Sequence, residues 1–370
     1  MVTFGIEEEF LLTEPDTVVP STRAAEVINS LTPGDGRSFT STAEFLACQV
    51  ESTTPICSEP EEALASLLDF RGRLAAAAAE AGLAAAPTGA APLTGPGPAL
   101  VSATVRYRQM SEMAGGVGDE QYVNGTHVHV AVPTREKGVQ VLNGLRPWLA
   151  TLGAVSANSP YWQGRDSRFA SWRIIHYRRW TVQGFPPFFR DAADYDARLA
   201  RLTATDVVLD PGHIGWIARL SHNFPTIEVR VADAQLEARD TVLLALMIRG
   251  LVTTLLAEEG TDPEGSAGTL AESEMLDVGL WQAARFGLAG NLLDHGPGGG
   301  HLGRAAGGQV GALLDYIRPA LEDSGDYPFV RTGMAHVLSA GTGAQRQREA
   351  VRGAGFAGLA PLFARSLTAG

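Results

Sequence analysis

The sequence predicts an α+β protein, a sheet with helices on one side of it, and two observations carry that expectation. Strand-like runs lie scattered between helices and loops without a regular strand–helix alternation, which disfavours a doubly wound sheet. Four of those runs split by residue parity into an apolar and a polar face. Strands of that kind need a helical layer on their apolar side only, leaving the polar side open.

The strands are expected at residues 2–12, 46–53, 123–132, 213–220 and 226–232. Apolar residues at three-and-four spacing predict helices at 61–82, 135–156, 238–258, 270–294, 304–323 and 344–366. The Ala/Gly-rich stretch 75–99 reads as a helix end running into a Pro/Gly loop. Gly296 to Gly300 reads as a connection between two helices; with no strand before it, it does not resemble a phosphate-cradling loop. No internal repeat and no long linker is visible, so residues 1–370 are read as a single domain.

Composition bounds the function. With 45% apolar and 19% charged residues among 370, the chain is neither disordered nor collagen-like. Lys and Arg number 29 against 41 Asp and Glu, a net charge of -12 that argues against a general nucleic-acid or anionic-membrane binder. Two cysteines, Cys48 and Cys57, are too few for a disulfide framework and point to the cytoplasm. The start, MVTFGIEEEFLL, has acids where a signal peptide would be apolar. Arg249 interrupts the apolar run Thr241 to Ala257, which is therefore read as a helix of a soluble protein. Asn124-Gly125-Thr126 matches a glycosylation acceptor, but without a secretory signal it is not read as one.

The polar faces carry the chemistry. In the first strand Glu7, Glu9 and Leu11 oppose Ile6, Phe10 and Leu12, with Glu8 among the apolar set and expected to tolerate substitution. In the second, Gln49, Glu51 and Thr53 oppose Leu46, Cys48 and Val50. In the third, Asn124, His127 and His129 oppose Thr126, Val128, Val130 and Val132, with a local adjustment at Gly125. In 226–232, Glu228 and Arg230 oppose Ile227, Val229 and Val231. Taken singly, each strand could be half exposed with solvated charges. Together they select carboxylates and imidazoles and contain no Lys, which favours one shared acidic face. Glu7, Glu9, Glu51 and Glu228 would repel one another unless cations lay between them. Oxygen-rich sites with imidazole suit Mg²⁺ or Mn²⁺ better than zinc, for which there is no HExxH and no Cys pair.

The basic counterpart is a run of six arginines between 165 and 190: Arg165, Arg168, Arg173, Arg178, Arg179 and Arg190. It reads equally as a cover for anions or as a surface patch, with Arg173 the member expected to point inward. Arg219 and Arg230 lie on polar faces of adjacent strands and are the stronger candidates for anion contact.

Five ordered blocks, GIEEEFLL, EFLACQVESTTP, NGTHVHV, ANSPYWQGRDSRFASWR and WIARLSHNFPTIEVRVAD, resemble the carboxylate–amine ligase family, also called type 2 glutamate–cysteine ligase, over nearly the whole chain. The family belongs with glutamine synthetase, so the resemblance implies a curved antiparallel sheet with two or three Mg²⁺ (or Mn²⁺) ions and ATP. It implies metal roles for Glu7, Glu9, Glu44, Glu51, His127 and Glu228. Glu44 lies seven residues from Glu51, on the opposite face of a regular strand, and needs a bulge or turn to join. The resemblance further implies that Asn124 and Gly125 help hold the amino acid, that His129 lies near ATP phosphates, and that Arg230 contacts an anion. The segment HYRRWTVQGFPP departs from relatives that carry a Trp-Pro pair before the Gly, which bears on substrate choice.

The expected reaction is transfer of the ATP γ-phosphoryl to a carboxylate, by family habit the γ-carboxylate of glutamate. Cysteine or another amine would then attack the acyl phosphate, with Arg230, Arg173 and Arg219 as catalytic arginines. The partners are small molecules, with no nucleic acid and no membrane, and a homo-oligomer is left open. Two alternatives share the metal face: a Mg²⁺-dependent kinase or phosphohydrolase of a small acid, and a nucleotide-binding regulator without catalysis.

Overall fold

Ile6, Phe10 and Leu12 alternate with Glu7, Glu9 and Leu11 along β1 (Phe4–Thr13), the strand around which the main sheet is ordered. The computed structural model describes residues 2–31, 39–258, 270–294 and 303–370. After β1 come α1 (Ala24–Ser30), the hairpin of β2 (Thr40–Ala43) and β3 (Gln49–Thr53), α2 (Pro60–Glu80) and β4 (Ala84–Ala86). Next are α3 (Val105–Ala114), β5 (Gly125–Ala131), α4 (Arg135–Val155), β6 (Tyr161–Trp162), β7 (Arg165–Asp166) and α5 (Trp172–Tyr177). They are followed by β8 (Gln183–Gly184), α6 (Ala192–Thr203), β9 (Gly215–Trp216), β10 (Ala218–Leu220) and β11 (Thr226–Asp233). The chain continues with α7 (Ala238–Ala257), α8 (Leu270–Phe286), β12 (Asn291–Leu293) and β13 (Gly303–Ala305). It finishes with α9 (Ala306–Asp323), α10 (Tyr327–Ala340), α11 (Gly343–Ala354) and α12 (Leu359–Leu367).

The main sheet has seven strands in the order β10-β11-β5-β1-β3-β2, with β4 also paired to β1. Every pairing in it is antiparallel. Its apolar face is formed by Ile6, Val128, Val130, Ile227, Val229 and Val231, all buried against Leu142, Leu145 and Leu149 of α4 and Leu244, Ile248 and Leu251 of α7. Each such side chain contributes about 1.5–3 kcal/mol when fully buried, so this layer is the main stabilising contact of the fold. Among the described residues no comparable layer covers the face that carries Glu7, His127 and Glu228. There the short helices α3, α5 and α6 stand around an open cleft, to whose walls α3 and α6 contribute Arg106, Tyr107, Tyr195 and Leu199.

Most expected elements appear near their predicted places. The strand expected at 46–53 starts only at Gln49, because residues 44–48 form the hairpin turn; the one at 213–220 is split into β9 and β10. The helix expected at 270–294 stops at Phe286, before β12, and that expected at 344–366 is two helices, α11 and α12, broken by the segment Gly355–Gly358. Helices α1, α3, α5, α6 and α10 have no counterpart in the sequence reading. Gly296 to Gly300 lies outside the described residues.

Among the described residues α7 is the one helix long and apolar enough to cross a membrane, yet 72% of its apolar window is buried within the protein. Arg249, in its middle, is 2% exposed and paired to Asp326 ahead of α10, Nε to Oδ2 at 3.1 Å. A buried arginine with its own carboxylate is the signature of a core helix.

Candidate active site

Residues directly opposite each other in antiparallel strands share a face of the sheet. Glu7 lies opposite Thr53 of β3 and His127 of β5, Glu9 opposite Glu51, and Glu228 opposite both His129 and Arg219. Strand pairing therefore collects carboxylates from three strands and imidazoles from a fourth. Glu44 joins through the hairpin. Ala43 pairs with Val50, so residue 44 continues opposite Gln49, on the face that carries Glu51. The chain reversal undoes the odd spacing.

A cleft of about 540 Å³ opens over this face and is lined by Glu7, Glu9, Glu44, Glu51, His127, His129, Glu228, Arg219 and Arg230. Behind it a smaller chamber of about 100 Å³ is walled by Phe45, Tyr107, Trp180, His213 and Arg173. His127 Nδ1 is 3.0 Å from Glu7 Oε2, and its Nε2 is 3.6 Å from Glu9 Oε1. His129 Nδ1 is 3.0 Å from Thr226 Oγ1, and its Nε2 is 3.2 Å from Glu7 Oε1. Glu9 Oε2 accepts the Gly125 N–H at 2.6 Å, and Glu44 Oε2 accepts the Tyr107 O–H at 2.8 Å.

The acids do not share one ionisation state. Burial, then the Glu44 carboxylate, pushes Glu9 up to about 7. Burial, then Glu44, Glu7 and Glu9, drives Glu51 well above the ordinary carboxyl range, and burial also raises Glu44. Burial works the same way on Glu7, but the His127 hydrogen bond and the adjacent His129 imidazole outweigh it and hold its carboxyl well below that range. Burial, then Arg230, lowers His127 to about 4, so its imidazole is neutral at pH 7. Glu228 resists burial because Arg230 and Arg219 hold it ionised.

Arg173 is inward, and Arg219 and Arg230 line the cleft, but the three take different partners. Arg219 forms a fork on Glu228, Nε to Oε2 at 2.7 Å and Nη2 to Oε1 at 3.3 Å, and Arg230 pairs with the same carboxylate through Nη1. Arg230 Nη2 also donates to Tyr177 Oη at 3.4 Å. Arg173 is inward, 4% exposed, but its guanidinium donates to the carbonyls of Arg230 (3.1 Å) and Val231 (3.4 Å). Of the remaining arginines in the run, Arg178, Arg179 and Arg190 face outward to Asp277, Glu120 and Asp194, and Arg165 and Arg168 are exposed. The run is thus a set of surface pairs around one buried member.

Asn124 is fully buried; Oδ1 accepts from Gln49 Nε2 at 2.7 Å and Nδ2 donates to the Thr88 carbonyl at 3.3 Å. Its amide is thus committed to joining β3 and β5, away from the cleft, and is closed to glycosylation. Gly125 is held by close approach: a Cβ there would come 2.3 Å from Arg173 Nη2. Tyr107, Tyr177 and the Arg106–Asp210 pair across the rim (2.7 Å) are part of the site and carry no pattern in the sequence. They come from α3, α5 and loops, where position is set by tertiary packing.

The donor set fits hard divalent cations. Ligand atoms of Glu7, Glu51 and His127 lie within 4.8 Å of one another, as do those of Glu7, His129 and Glu228. Nε2 of both His127 and His129 is buried with no hydrogen-bond partner among the described residues, although carboxylate oxygens lie close by. A cation at each group would give the buried imidazoles a partner and would relieve the repulsion that adds to burial in raising Glu9 and Glu51. Oxygen donors with one imidazole per group favour Mg²⁺ or Mn²⁺.

The fold is that of glutamate–cysteine ligases. Aligned over 100% of this chain and 89% of its own, the Francisella tularensis glutamate–cysteine ligase solved in complex with AMP gives a TM-score of 0.73 at 12% identity. A bifunctional glutathione synthetase from Pasteurella multocida gives 0.68 at 13% identity over 99% of this chain, which spans only 52% of that longer protein. Sequence then narrows the class. Residues 3–327 match the model of glutamate–cysteine ligase family 2. A Nocardia farcinica (strain IFM 10152) protein provisionally named glutamate–cysteine ligase 2-1 is 42% identical over 350 residues, 93% of this chain and 88% of its own. A Mycobacterium sp. (strain KMS) protein provisionally named glutamate–cysteine ligase 2-2 is 39% identical over 350 residues, 95% of this chain and 94% of its own. The chain belongs to glutamate–cysteine ligase family 2 and, with that family, to the carbon–nitrogen ligases.

Proposed function

We propose that residues 1–370 act as one ATP-dependent carboxylate–amine ligase domain in the cytoplasm, joining the γ-carboxylate of glutamate to cysteine or another amine through an acyl phosphate. The observation that carries this reading is the single sheet face with Glu7, Glu9, Glu44, Glu51 and Glu228 around two imidazoles, opposed by Arg219 and Arg230 in one cleft. The AMP bound by the Francisella tularensis neighbour supports an adenine nucleotide as the co-substrate.

Glu7, Glu51 and His127 would hold one cation and Glu7, His129 and Glu228 another, with Glu9 and Glu44 beside them. Bound there, Mg²⁺ or Mn²⁺ would neutralise charge on the phosphate oxygens. In the reaction, a substrate carboxylate oxygen attacks the γ-phosphorus of ATP and the bond to the ADP oxygen breaks. The amine then attacks the acyl carbon, phosphate leaves, and the amine gives up its proton to form the amide. His127, neutral at pH 7, presents a lone pair to this chemistry without adding charge. Arg230 keeps a planar cation at the cleft floor for oxygens that gain negative charge, and its pairing with Glu228 and Tyr177 restricts its rotamers.

Hydroxylamine tests the acyl phosphate directly. With ATP, Mg²⁺ and glutamate, the ligase yields glutamyl hydroxamate together with ADP and phosphate. ADP release without any hydroxamate, for every acid supplied, would favour a kinase or phosphohydrolase and end the ligase reading.

A further inference from the structure

We infer that Asp233 is a positioning residue for the ligase reaction proposed above, clamping the start of α5 so that Arg173 and Tyr177 hold Arg230 at the cleft floor. Asp233 ends β11, is 1% exposed and does not line the cleft, so the chemistry leaves this buried acid unused. Its carboxylate accepts three hydrogen bonds. Oδ2 takes the Asn158 N–H at 2.8 Å and the Ser159 O–H at 2.7 Å, and Oδ1 takes the Ser171 O–H at 2.8 Å.

A hydroxyl has one proton to give, so Asp233 fixes which way each serine points. With their protons spent on Asp233, both oxygens turn their lone pairs to α5. Ser159 Oγ accepts the Arg173 N–H at 3.0 Å, and Ser171 Oγ accepts the Ile174 N–H at 3.2 Å, capping the helix. Helix α5 has six residues, far too few to persist without such anchors.

The helix then reaches back to the strand that carries Asp233. Pairing between β11 and β5 is irregular between Val229 and Ala232. The carbonyls of Arg230 and Val231 in that bulge are taken by the Arg173 guanidinium, which also lies 5.5 Å from the Tyr177 ring. Tyr177 in turn accepts from Arg230 Nη2. The circuit runs from the end of β11 through two serines and α5 to the bulge of β11 itself. Its far side is closed by Gly89, where a Cβ would come 2.6 Å from the Asp233 side chain. A carboxylate matters here because an amide would set an N–H against one of the three donors, so that a serine proton would have to leave Asp233 and could no longer leave its oxygen free for α5.

The test compares the full chain with Asp233→Asn, Ser171→Ala and Ser171→Thr, in the hydroxamate assay and by amide hydrogen exchange. Displacing Arg230 by a fraction of an ångström should lower kcat of Asp233→Asn about 10- to 100-fold, while KM for ATP and the Mn²⁺ requirement stay within about two-fold. The Arg173 and Ile174 amides should exchange about ten-fold faster, with α4 amides unchanged. Because the effect passes through Arg173, adding Asp233→Asn to Arg173→Met should cost less than about two-fold more. A kcat within about two-fold of the parent, or fully additive losses in the double variant, would overturn the inference. If Asp233→Asn does not fold, Ser171→Ala must give the same split of kcat from KM and Ser171→Thr must restore it; otherwise the inference falls. An inactive parent would sink the ligase reading alone, and exchange would then decide the clamp: faster at Arg173 and Ile174 supports it, unchanged overturns it.

Discussion

Glu8 and Arg71 meet in a bidentate ion pair, Nε to Oε2 at 2.9 Å and Nη2 to Oε1 at 2.5 Å, with side chains 1% and 0% exposed. Arg71 also donates to the carbonyls of Leu236 (2.9 Å) and Gln235 (3.1 Å). The pair ties β1 and α2 to the segment entering α7, on the side of the sheet away from Glu7 and Glu9. The sequence reading took Glu8 as the member of the three acids that turnover tolerates losing; its buried pairing with Arg71 gives it a structural place in the fold.

Glu8→Gln should therefore lower unfolding free energy by about 3–5 kcal/mol, the usual cost of leaving a buried charge unpaired. Any molecules that stay folded should keep their Mn²⁺ requirement. Urea titration checks the first point and metal-dependent turnover the second; an unchanged midpoint would mean that Arg71 finds other partners.

Glu51→Gln should do the opposite. A carboxyl whose pKa is raised by folding binds its proton more tightly in the native state, so it weakens metal-free stability as pH rises from the unfolded value through the raised one. The neutral amide escapes that loss, and the metal-free variant should melt above the parent at pH 8. At about 100 times Kd, Mn²⁺ should add about 2.7 kcal/mol to the parent and clearly less to Glu51→Gln. Calorimetry with and without metal reads both.

Arg230→Lys keeps the charge but loses the planar fork. Turnover should fall by about 10² to 10³, the scale of one lost transition-state donor, with metal affinity retained. Glu228→Gln should instead raise the metal requirement and free Arg219 and Arg230 from their shared partner. Near-normal turnover of Arg230→Lys with every acid and amine tried would reduce Arg230 to a counter-charge.

His176 provides a pH signature away from the cleft. Burial, then Arg179, lowers its pKa to about 4, with the ring against Trp162 at 4.4 Å. The unfolded chain therefore binds the proton first, and stability is lost as pH falls from about 6.5 towards 4, by up to roughly 3 kcal/mol. His176→Gln should flatten that part of the stability curve; a difference curve independent of pH would contradict the assignment.

What could be read from the sequence is what periodicity encodes. Side chains of β1, β5 and β11 sort by parity because a strand has only two faces, and the pairing of Glu7 with His127 follows once those faces meet. Glu44 could not be placed by parity, since a hairpin turn inverts the count between it and Glu51. Arg173 was legible as inward but not as a ligand of the carbonyls in a bulge. Helix α3 is invisible to periodicity because none of its residues is buried, yet its Tyr107 holds Glu44. Asn124 matches a glycosylation acceptor in sequence, but its amide is buried on Gln49 and Thr88, a commitment set by tertiary packing.

The central strand β1 also sets a schedule for biosynthesis. It is made before β3 and then β5, which flank it, while β11 and the covering helix α7 are made much later. A nascent chain halted before Ala238 thus carries Ile6, Val128 and Ile227 with α4 but without α7, one of the two helices that bury them. Interrupted translation would release a sticky, acid-lined fragment suited to aggregation or capture by chaperones.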